Sequence, residues 1–255
     1  MTGLRAGQLT ELAARAAAAI GDAVKPGGGP AVTGLYKPVA MVVALMRTNL
    51  TQQVAGGIFG CSRATVSRRW DLLRPAIGQV PASCVPDPRQ IPGGGTALVD
   101  GTTAPTWDCA AIPDLFPGKA GYPGMNLQIA ATPGGRVAAT GAVPVHGARH
   151  DAHAFQASGL KNLPAAADLG YPGADGIAIV PFRTPPGGRS HDSQAASSKE
   201  LSGIRAAAER AVASVKTWRM LSEEGGRYRA PISKYGEMLA AVTGLFFASN
   251  YYNPS

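Results

Sequence analysis

Glu200–Leu221, ELSGIRAAAERAVASVKTWRML, predicts a long helix, and several upstream segments supply residues that could act together with it. Apolar residues recur at three- and four-residue spacing, which is typical of a helix with one buried face; they are Leu201, Ile204, Ala208, Val212 and Val215. A helix turns by about 100° per residue, so Arg205, Glu209 and Lys216 fall on one line beside that face. Glu209 is therefore expected at the rim of the core. A solvated Arg–Glu pair of the ordinary i,i+4 kind would give the same spacing.

Two upstream aspartates suggest a chemical role for this helix. The run TALVDGTT, residues 96–103, is apolar up to Asp100, and the run NLPAAAD, residues 162–168, ends in Asp168. We predict a strand for each run, and the carboxyl ends of adjacent strands in an α/β sheet open on one crevice. Asp100, Asp168 and Glu209 would repel one another there unless divalent cations held them, and Mg²⁺ prefers oxygen ligands. Two such ions can promote phosphodiester displacement.

The remaining second half alternates short strands with helices. Further strands are predicted at residues 125–131, 136–143 and 177–181, and further helices at residues 150–160 and 234–248. A turn rich in Pro and Gly, residues 132–135, favours a hairpin between the first two of these strands. Asp151 is in position to cap the first of the helices. The last helix is expected to pack on the same domain.

Residues 49–74, NLTQQVAGGIFGCSRATVSRRWDLLR, predict two helices joined by a tight turn. The predicted caps and stop are Thr51, Gly60 and Ser62, and the predicted inward residues are Val54, Ile58, Val66, Trp70 and Leu73. Two helices joined in this way form a helix-turn-helix.

The exposed half of the second helix carries side chains that suit DNA. In such motifs this half enters the major groove, where arginine can pair with guanine and serine or threonine can reach bases or phosphates. The residues expected to contact DNA are Arg63, Thr65, Ser67, Arg68 and Arg69. A helical hairpin that only packs on the rest of the chain is the alternative.

The net charge favours the DNA interpretation. The chain carries a formal charge of +8, and residues 1–80 hold nine Lys or Arg and three Asp or Glu, which is +6 of that total. A basic segment of this kind indicates a polyanionic partner, most simply nucleic acid. A basic protein without such a partner is the alternative.

Composition also predicts the domain boundaries. Other helices are predicted at residues 8–24 and 37–47, the second opening near Pro38. Residues 75–95 contain five prolines and four glycines with little periodicity, which is typical of a linker. We therefore predict a helical domain over residues 1–80, a linker over residues 81–95 and a second domain over residues 96–255.

Cysteine usage and hydropathy predict a cytoplasmic protein. Cys61, Cys84 and Cys109 are widely spaced, with neither a CxxC pair nor a disulfide framework. No apolar run approaches the roughly 18 residues that would span a bilayer. Arg5 and Glu11 interrupt the alanine-rich N-terminus, which argues against a signal peptide.

Five segments together resemble those of DDE-superfamily insertion-sequence transposases. They are VDGT at 99–102, GMNLQ at 124–128, HGARHDAHAF at 146–155, ADLGY at 167–171 and RAAAERAVASVK at 205–216. The chain is most similar to the bacterial group with an N-terminal helix-turn-helix, related to Harbinger-type elements, over roughly residues 36–250. The most specific piece is Arg-x3-Glu-x6-Lys, formed here by Arg205, Glu209 and Lys216.

This resemblance implies a fold, an activity and a site. The expected fold is α/β: a small all-α helix-turn-helix domain followed by a ribonuclease-H-like domain with a mixed central sheet. The expected activity is Mg²⁺-dependent strand cleavage and strand transfer at element ends, with two Mg²⁺ or Mn²⁺ ions held by Asp100, Asp168 and Glu209. The expected partners are double-stranded DNA, as terminal inverted repeats and target, and further copies of the chain. The protein would associate with the nucleoid when bound to DNA.

Asp151 competes with Asp168 for the role of second aspartate. An N-cap role would explain Asp151, whereas Asp168 follows an apolar run, so we favour Asp168. His146, His150 and His153 match no zinc spacing and have no cysteine nearby. His150, Asp151, Arg205 and Lys216 are therefore treated as auxiliary residues, the last two contacting DNA phosphates or Glu209.

Two other functions fit part of the pattern. A DNA-binding regulator with a non-catalytic second domain would explain the helix-turn-helix and the charge. It would leave the three carboxylates unexplained. An inactive transposase remnant would retain every motif.

Overall fold

The computed structural model describes residues 1–21, 33–87, 96–107, 112–117, 121–161, 163–167, 171, 173–179 and 205–250. The chain divides into two compact units, one formed by Met1–Val85 with Thr217–Ser255 and the other by Pro86–Lys216. Within the described residues, no helix is both long enough and apolar enough to cross a bilayer.

Helices and strands alternate unevenly along the chain. The helices are α1 Ala6–Ile20, α2 Thr33–Thr48, α3 Gln52–Phe59, α4 Arg63–Gln79, α5 Asp151–Ala157, α6 with its described residues 205–216, and α7 Tyr235–Asn250. The strands are β1 Ala97–Pro105, β2 Gly124–Ala131, β3 Val137–Thr140, β4 Val145–His146, β5 Ala165–Ala167 and β6 Ile177–Ile179.

The elements described in the first unit are helices and short 3₁₀ turns. Helix α4 packs against α7 and also contacts α1, α2 and α3. The predicted stripe of Val66, Trp70 and Leu73 is buried. The side chain of Arg74, only 3% exposed, donates to the Glu237 carboxylate at the start of α7 through Nε at 3.1 Å and Nη2 at 2.7 Å. Apolar contacts and an ion pair between buried Arg74 and half-exposed Glu237 therefore hold α7 on α4.

The C-terminal helix is grouped with the N-terminal helices. The predicted second domain ran to residue 255, whereas the structure groups Thr217–Ser255 with the N-terminal helices. The physical reason is that α7 is apolar around its whole circumference, with nine buried residues, and α4 and the turn Val80–Cys84 cover part of that surface. Gly244 permits the close approach, since a Cβ there would lie 2.6 Å from Pro81 Cγ.

Two prolines lie inside helices that were predicted to be shorter. Helix α2 starts at Thr33, so Pro38 is an internal residue and not part of the first turn. Helix α4 continues through Pro75 to Gln79 and is followed by a 3₁₀ turn, Val80–Cys84, where a linker was predicted from residue 75. A proline removes one backbone hydrogen bond from a helix. Burial of Ala76 and Ile77 against the rest of the unit offsets that loss.

The second unit is built on a mixed sheet. The strand order is β3-β2-β1-β5-β6, with β4 paired to β2 outside that path. Strands β1, β2 and β3 are antiparallel neighbours, whereas β5 runs parallel to β1 and β6 runs parallel to β5. The predicted hairpin between β2 and β3 is confirmed. The mixed sheet with helices fits the predicted α/β class.

One face of this sheet carries a continuous apolar core. Val99 on β1 and Ala130 on β2 pack there with Phe155 of α5 and with Tyr171, whose ring meets that of Phe155 edge-on at 6.2 Å between centroids. Because side chains of a strand alternate between faces, this core fixes which residues of β1 face α5.

The long helix predicted over Glu200–Leu221 is shorter at its end. Residues 205–216 are helical, and Arg219–Leu221 forms a separate 3₁₀ turn. Ala208 and Val215 of the predicted stripe are buried, together with Ala207 and Ala211. Leu201 and Ile204 lie outside the described residues.

Candidate functional site

Two of the predicted carboxylates lie on β1 and on α6, and the third follows β5 in the sequence. Asp100 is half-buried on β1 and is paired with Ile129 of β2. It does not end its strand, as was predicted, because antiparallel pairing with β2 continues to Pro105. Parallel pairing with β5, however, covers only Ala97, Leu98 and Val99. Asp100 is thus the first residue of β1 beyond the described pairing with β5.

Asp168, the second predicted carboxylate, lies outside the described residues. Ala167, the residue before it, is the last residue of β5 and is paired with Val99. Val99 and Ala167 are therefore register partners on parallel strands, and each is followed in the sequence by an aspartate.

Glu209 is exposed on α6, on the side away from the buried alanines. The helix lies against the turn between β2 and β3, since a Cβ on Gly135 would be 3.1 Å from the Arg210 Nε atom and 3.4 Å from the Ala207 carbonyl oxygen. Arg205 is also exposed and Lys216 is half-buried. Among the described residues, no three His, Cys, Asp or Glu side chains are grouped as a metal site.

Asp151 has a different position from the predicted one. The N-cap of α5 is His150, without a side-chain capping bond, and Asp151 is the first residue of the helix. Its Oδ1 atom accepts a hydrogen bond from Asn126 Nδ2 at 3.0 Å. The prediction that Asp151 caps the helix is therefore wrong, because the carboxylate is turned towards β2 instead of towards its own backbone.

A chain of hydrogen-bonded polar side chains leads from half-buried Asp151 into the sheet. Gln128 Nε2 donates to Asn126 Oδ1 at 2.7 Å, and the Tyr171 hydroxyl donates to Gln128 Oε1 at 2.8 Å. Gln128 is fully buried and Tyr171 is 1% exposed, so each polar atom depends on these partners. Sequence reasoning missed this network. The available signal was two amides at alternate positions of an otherwise apolar strand, MNLQIAA.

Asp100 and Asp151 lie on opposite sides of β1. A Cβ on Gly101 would be 2.5 Å from Asp151 Oδ1 and 2.7 Å from Gln128 Nε2. The Cβ direction of Gly101 therefore points to the face of the sheet that α5 covers. Successive residues of a strand point to opposite faces, and Asp100 therefore faces away from α5. The geometry separates these two carboxylates instead of bringing them together.

The predicted auxiliary histidine is exposed. His150 and its neighbour Arg149 both lie at the surface, and Arg149 Nη2 is 3.1 Å from the Asp114 carboxylate. The Asn126 amide also donates to the Arg149 carbonyl oxygen, at 3.2 Å. These contacts hold the loop before α5 against the 3₁₀ turn Pro113–Leu115 and against β2.

The predicted pair of helices ends and restarts as expected. Thr51 accepts from Val54 N at the start of α3, and Gly60 ends the helix with φ of 67° in the left-handed region. Ser62 accepts from Thr65 N at the start of α4. A Cβ on Gly56 would lie 2.6 Å from the Cys61 carbonyl oxygen, so the turn packs tightly on α3.

The predicted DNA-contacting residues lie on the first two turns of α4. Arg63 and Arg68 are exposed, and Thr65, Ser67 and Arg69 are half-buried. Arg68 Nη2 lies 3.4 Å from the Thr65 hydroxyl.

The inward face predicted for α3 is wrong. Val54 is 48% exposed and Ile58 is 49% exposed, whereas Ala55 and Gly56 are buried. Ala55 and Gly56 face the turn between α3 and α4, because small side chains there allow the two helices to approach closely.

Comparison with known proteins gives two matches and one negative result. The family described as "DDE superfamily endonuclease" matches residues 99–246, which is more than half of the chain. A curated protein of Streptomyces albus G, named "Putative transposase for insertion sequence element IS112", is 29% identical over 207 residues, 79% of this chain and 76% of its own length. No solved structure matches the chain with significance.

Proposed function

Because the chain belongs to the DDE superfamily endonucleases, we propose that it is a transposase that binds the ends of a mobile element and cleaves and joins DNA strands there. The family implies nuclease activity and a DNA substrate. Strand transfer, metal dependence and the identity of the site residues are part of our proposal. So is the assignment of the second unit, with its mixed sheet, to the ribonuclease-H-like fold.

The register of β1 and β5 is the observation that carries the proposed site. Val99 and Ala167 are paired on parallel strands, and Asp100 and Asp168 follow them in the sequence. Asp100 lies within β1 but directly after its last residue in the described pairing with β5, and α/β proteins bind ligands in the crevice where adjacent parallel strands part. We propose Asp100 and Asp168 as the first two catalytic carboxylates and Glu209 as the third.

The position of Asp151 supports this choice of second aspartate. Its carboxylate is held on the α5 side of β1 by Asn126, and Asp100 faces the other side. A shared metal ion needs both oxygens within about 2–2.6 Å of it, which carboxylates on opposite faces of a strand do not provide. We assign Asp151 a structural role.

The donor set fits a hard divalent cation. Asp100 is half-buried and Glu209 is exposed, so both offer oxygen ligands at positions that solvent and substrate can reach. We propose that Asp100, Asp168 and Glu209 hold two Mg²⁺ or Mn²⁺ ions, which would supply activation of the attacking oxygen and stabilisation of the leaving oxygen. Arg205 and Lys216, on the same line of α6 as Glu209, would orient the DNA phosphates beside it.

Helices α3 and α4 are proposed as a helix-turn-helix that delivers the DNA. The tight turn, the capped N-terminus of α4 and its exposed arginines support this role. We propose Arg63, Thr65, Ser67, Arg68 and Arg69 as DNA-contacting residues, with two or more copies of the chain acting on paired element ends.

A nicking assay tests the proposal. Supercoiled DNA carrying an element end should be nicked by the wild type with Mg²⁺ and left intact with EDTA. Asp100→Asn and Glu209→Gln should lose cleavage while retaining DNA binding in a gel shift. Asp114→Asn, which removes an exposed acid elsewhere in the same unit, should cleave normally. Wild-type cleavage by Asp100→Asn would contradict the site, and DNA binding without cleavage under any metal condition would favour a regulator.

A further inference from the structure

A groove in the helical unit adjoins the exposed side of α4. It has a volume of about 660 Å³. One wall is formed by the start of α3 and by Arg63, Ser67 and Asp71 of α4. The opposite wall is formed by residues 228–231 and Lys234, which precede α7. We call residues 228–234 the opposing segment.

The opposing segment is fixed to the helices that it faces. Asn49, which ends α2 with a positive φ of 51°, donates from Nδ2 to the carbonyl oxygens of Gly225 at 2.9 Å and Arg227 at 3.5 Å. In return, Arg229 Nη1 donates to the Asn49 carbonyl oxygen at 3.2 Å. Asn49 is 6% exposed, so these bonds are shielded from water. The two walls therefore keep a defined separation.

The floor of the groove is apolar and uncharged. Trp70 and Tyr228 are buried there at 6% and 1% exposure. Burial raises the pKa of Tyr228 to about 12, so its phenol stays protonated at neutral pH. Its ring packs edge-on against Tyr235 at 5.1 Å between centroids.

The rim of the groove is cationic. Arg63, Arg229 and Lys234 carry positive charge there, and Asp71 is the acidic residue among the lining side chains. Asp71 is itself neutralised, because Lys234 Nζ lies 2.6 Å from its Oδ1 atom and Arg74 Nη1 lies 3.4 Å from the same atom. Arg63, Asp71 and Arg229 are exposed, so the groove is open to solvent along this rim.

We propose that this groove holds the sugar–phosphate backbone of one strand of the duplex bound by α4, and that the opposing segment is a second DNA-contacting element. The inference rests on the proposed DNA-binding role of α3 and α4. Arginine, lysine, serine and threonine contacts to phosphate make up much of a protein–DNA interface and fix its register. The apolar floor suits deoxyribose, and the cationic rim suits phosphate.

Salt dependence of binding to a mixed-sequence duplex provides the first test. Log K falls as log salt rises, and each phosphate contact makes this decline steeper by about 0.9. The loss of affinity between 50 and 200 mM salt is therefore roughly 3.5-fold per contact. Arg229→Ala should reduce the magnitude of this slope by about one and weaken binding to all sequences alike. Arg229→Lys, which keeps the charge, should retain the slope. Arg15→Ala, an exposed arginine of the same unit outside the groove, is the control and should leave the slope unchanged.

A gain of affinity provides a second test that misfolding cannot imitate. Asp71→Asn removes the acid from the groove and releases Lys234, so it should bind the mixed-sequence duplex severalfold more tightly at 200 mM salt. Glu11→Gln, which removes a half-buried acid on α1 outside the groove, is the matched control and should bind like the wild type.

The outcomes separate this inference from the proposed function. A slope for Arg229→Ala equal to that of Arg15→Ala, with no gain for Asp71→Asn, would overturn the groove while leaving DNA binding by α4 in place. Failure of the wild type to bind any duplex would overturn both.

Discussion

At the scale of single residues, Gly101 separates the Asp100 carboxylate from the Asp151 carboxylate. It follows Asp100 on β1, and its missing side chain leaves room for the Asp151 carboxylate and the Gln128 amide. The glycine of the VDGT motif thus has a packing reason, because a larger residue would displace the Asp151 carboxylate or the Gln128 amide.

Gly101→Ala should destabilise the protein. The added methyl would lie 2.5 Å from Asp151 Oδ1 and 2.7 Å from Gln128 Nε2, and overpacking of this kind costs about 1–3 kcal/mol. Thermal unfolding of Gly101→Ala beside Gly134→Ala measures the effect, because a Cβ at the exposed Gly134 would meet only Thr132 Oγ1 at 3.8 Å. Equal melting temperatures for the two variants would show that Asp151 does not occupy this space.

The network behind Asp151 shows why part of the site escaped sequence reasoning. Asn126 and Gln128 alternate along β2, so the sequence indicates that both face one side of the sheet. Only the register with β1 and the approach of Tyr171 show that this side is covered by α5 and that the amides connect to Asp151. Contacts between residues distant in sequence, here Gln128 and Tyr171, leave no local pattern.

At the scale of elements, an ion pair joins α4 to the 3₁₀ turn Ile232–Lys234 before α7. The hydrogen bond from Lys234 is the largest cause that holds the pKa of Asp71 below its ordinary value of 3.8, and the Lys234 and Arg74 charges act in the same direction. A carboxyl group whose pKa is lower in the folded state adds stability above its unfolded pKa and loses it as the pH falls through its folded pKa.

The stability difference between wild type and Asp71→Asn should therefore depend on pH. The wild type should be the more stable at pH 5–7, and the difference should shrink as the pH falls below 3.8. Thermal unfolding at several pH values between 2.5 and 7 measures it, with Glu11→Gln as a control for loss of an acid elsewhere in the same unit. A difference that stays constant over this range would show that the Asp71 carboxylate does not stabilise the fold through Lys234.

Helix α3 shows where periodicity alone is insufficient. Its caps were predictable, because Thr51, Gly60 and Ser62 act through backbone geometry within a few residues. The inward face of α3 was not predictable, since either Val54 and Ile58 or the small residues Ala55 and Gly56 could be buried in so short a helix. The close approach at Gly56 selects the small residues, and Val54 and Ile58 are left half-exposed.

At the scale of the whole molecule, the sequence predicts the elements better than their grouping. The hairpin of β2 and β3 and the mixed class of the fold follow from local signals and from resemblance. The assignment of α7 to the helical unit does not, because its apolar surface would suit either unit. Its partner is settled by the buried Arg74, which pairs with Glu237 on α7.

Divalent metal should stabilise the folded protein if the three carboxylates form a site. A ligand that binds only the folded state adds about 2.7 kcal/mol at a hundredfold excess over its Kd. Mg²⁺ or Mn²⁺ should raise the melting temperature of the wild type at pH 7–8, and the rise should be much smaller in Asp100→Asn. The same rise in both proteins would place the bound metal elsewhere.

The catalytic assignment of Asp168 is tested by comparing cleavage by Asp168→Asn and Asp151→Asn on element-end DNA with Mg²⁺. If Asp100, Asp168 and Glu209 carry the chemistry, Asp168→Asn should bind DNA and leave it uncut, whereas Asp151→Asn, which retains a polar partner for Asn126, should still cleave. Normal cleavage by Asp168→Asn together with its loss in Asp151→Asn would show that Asp151, and not Asp168, is the second catalytic carboxylate.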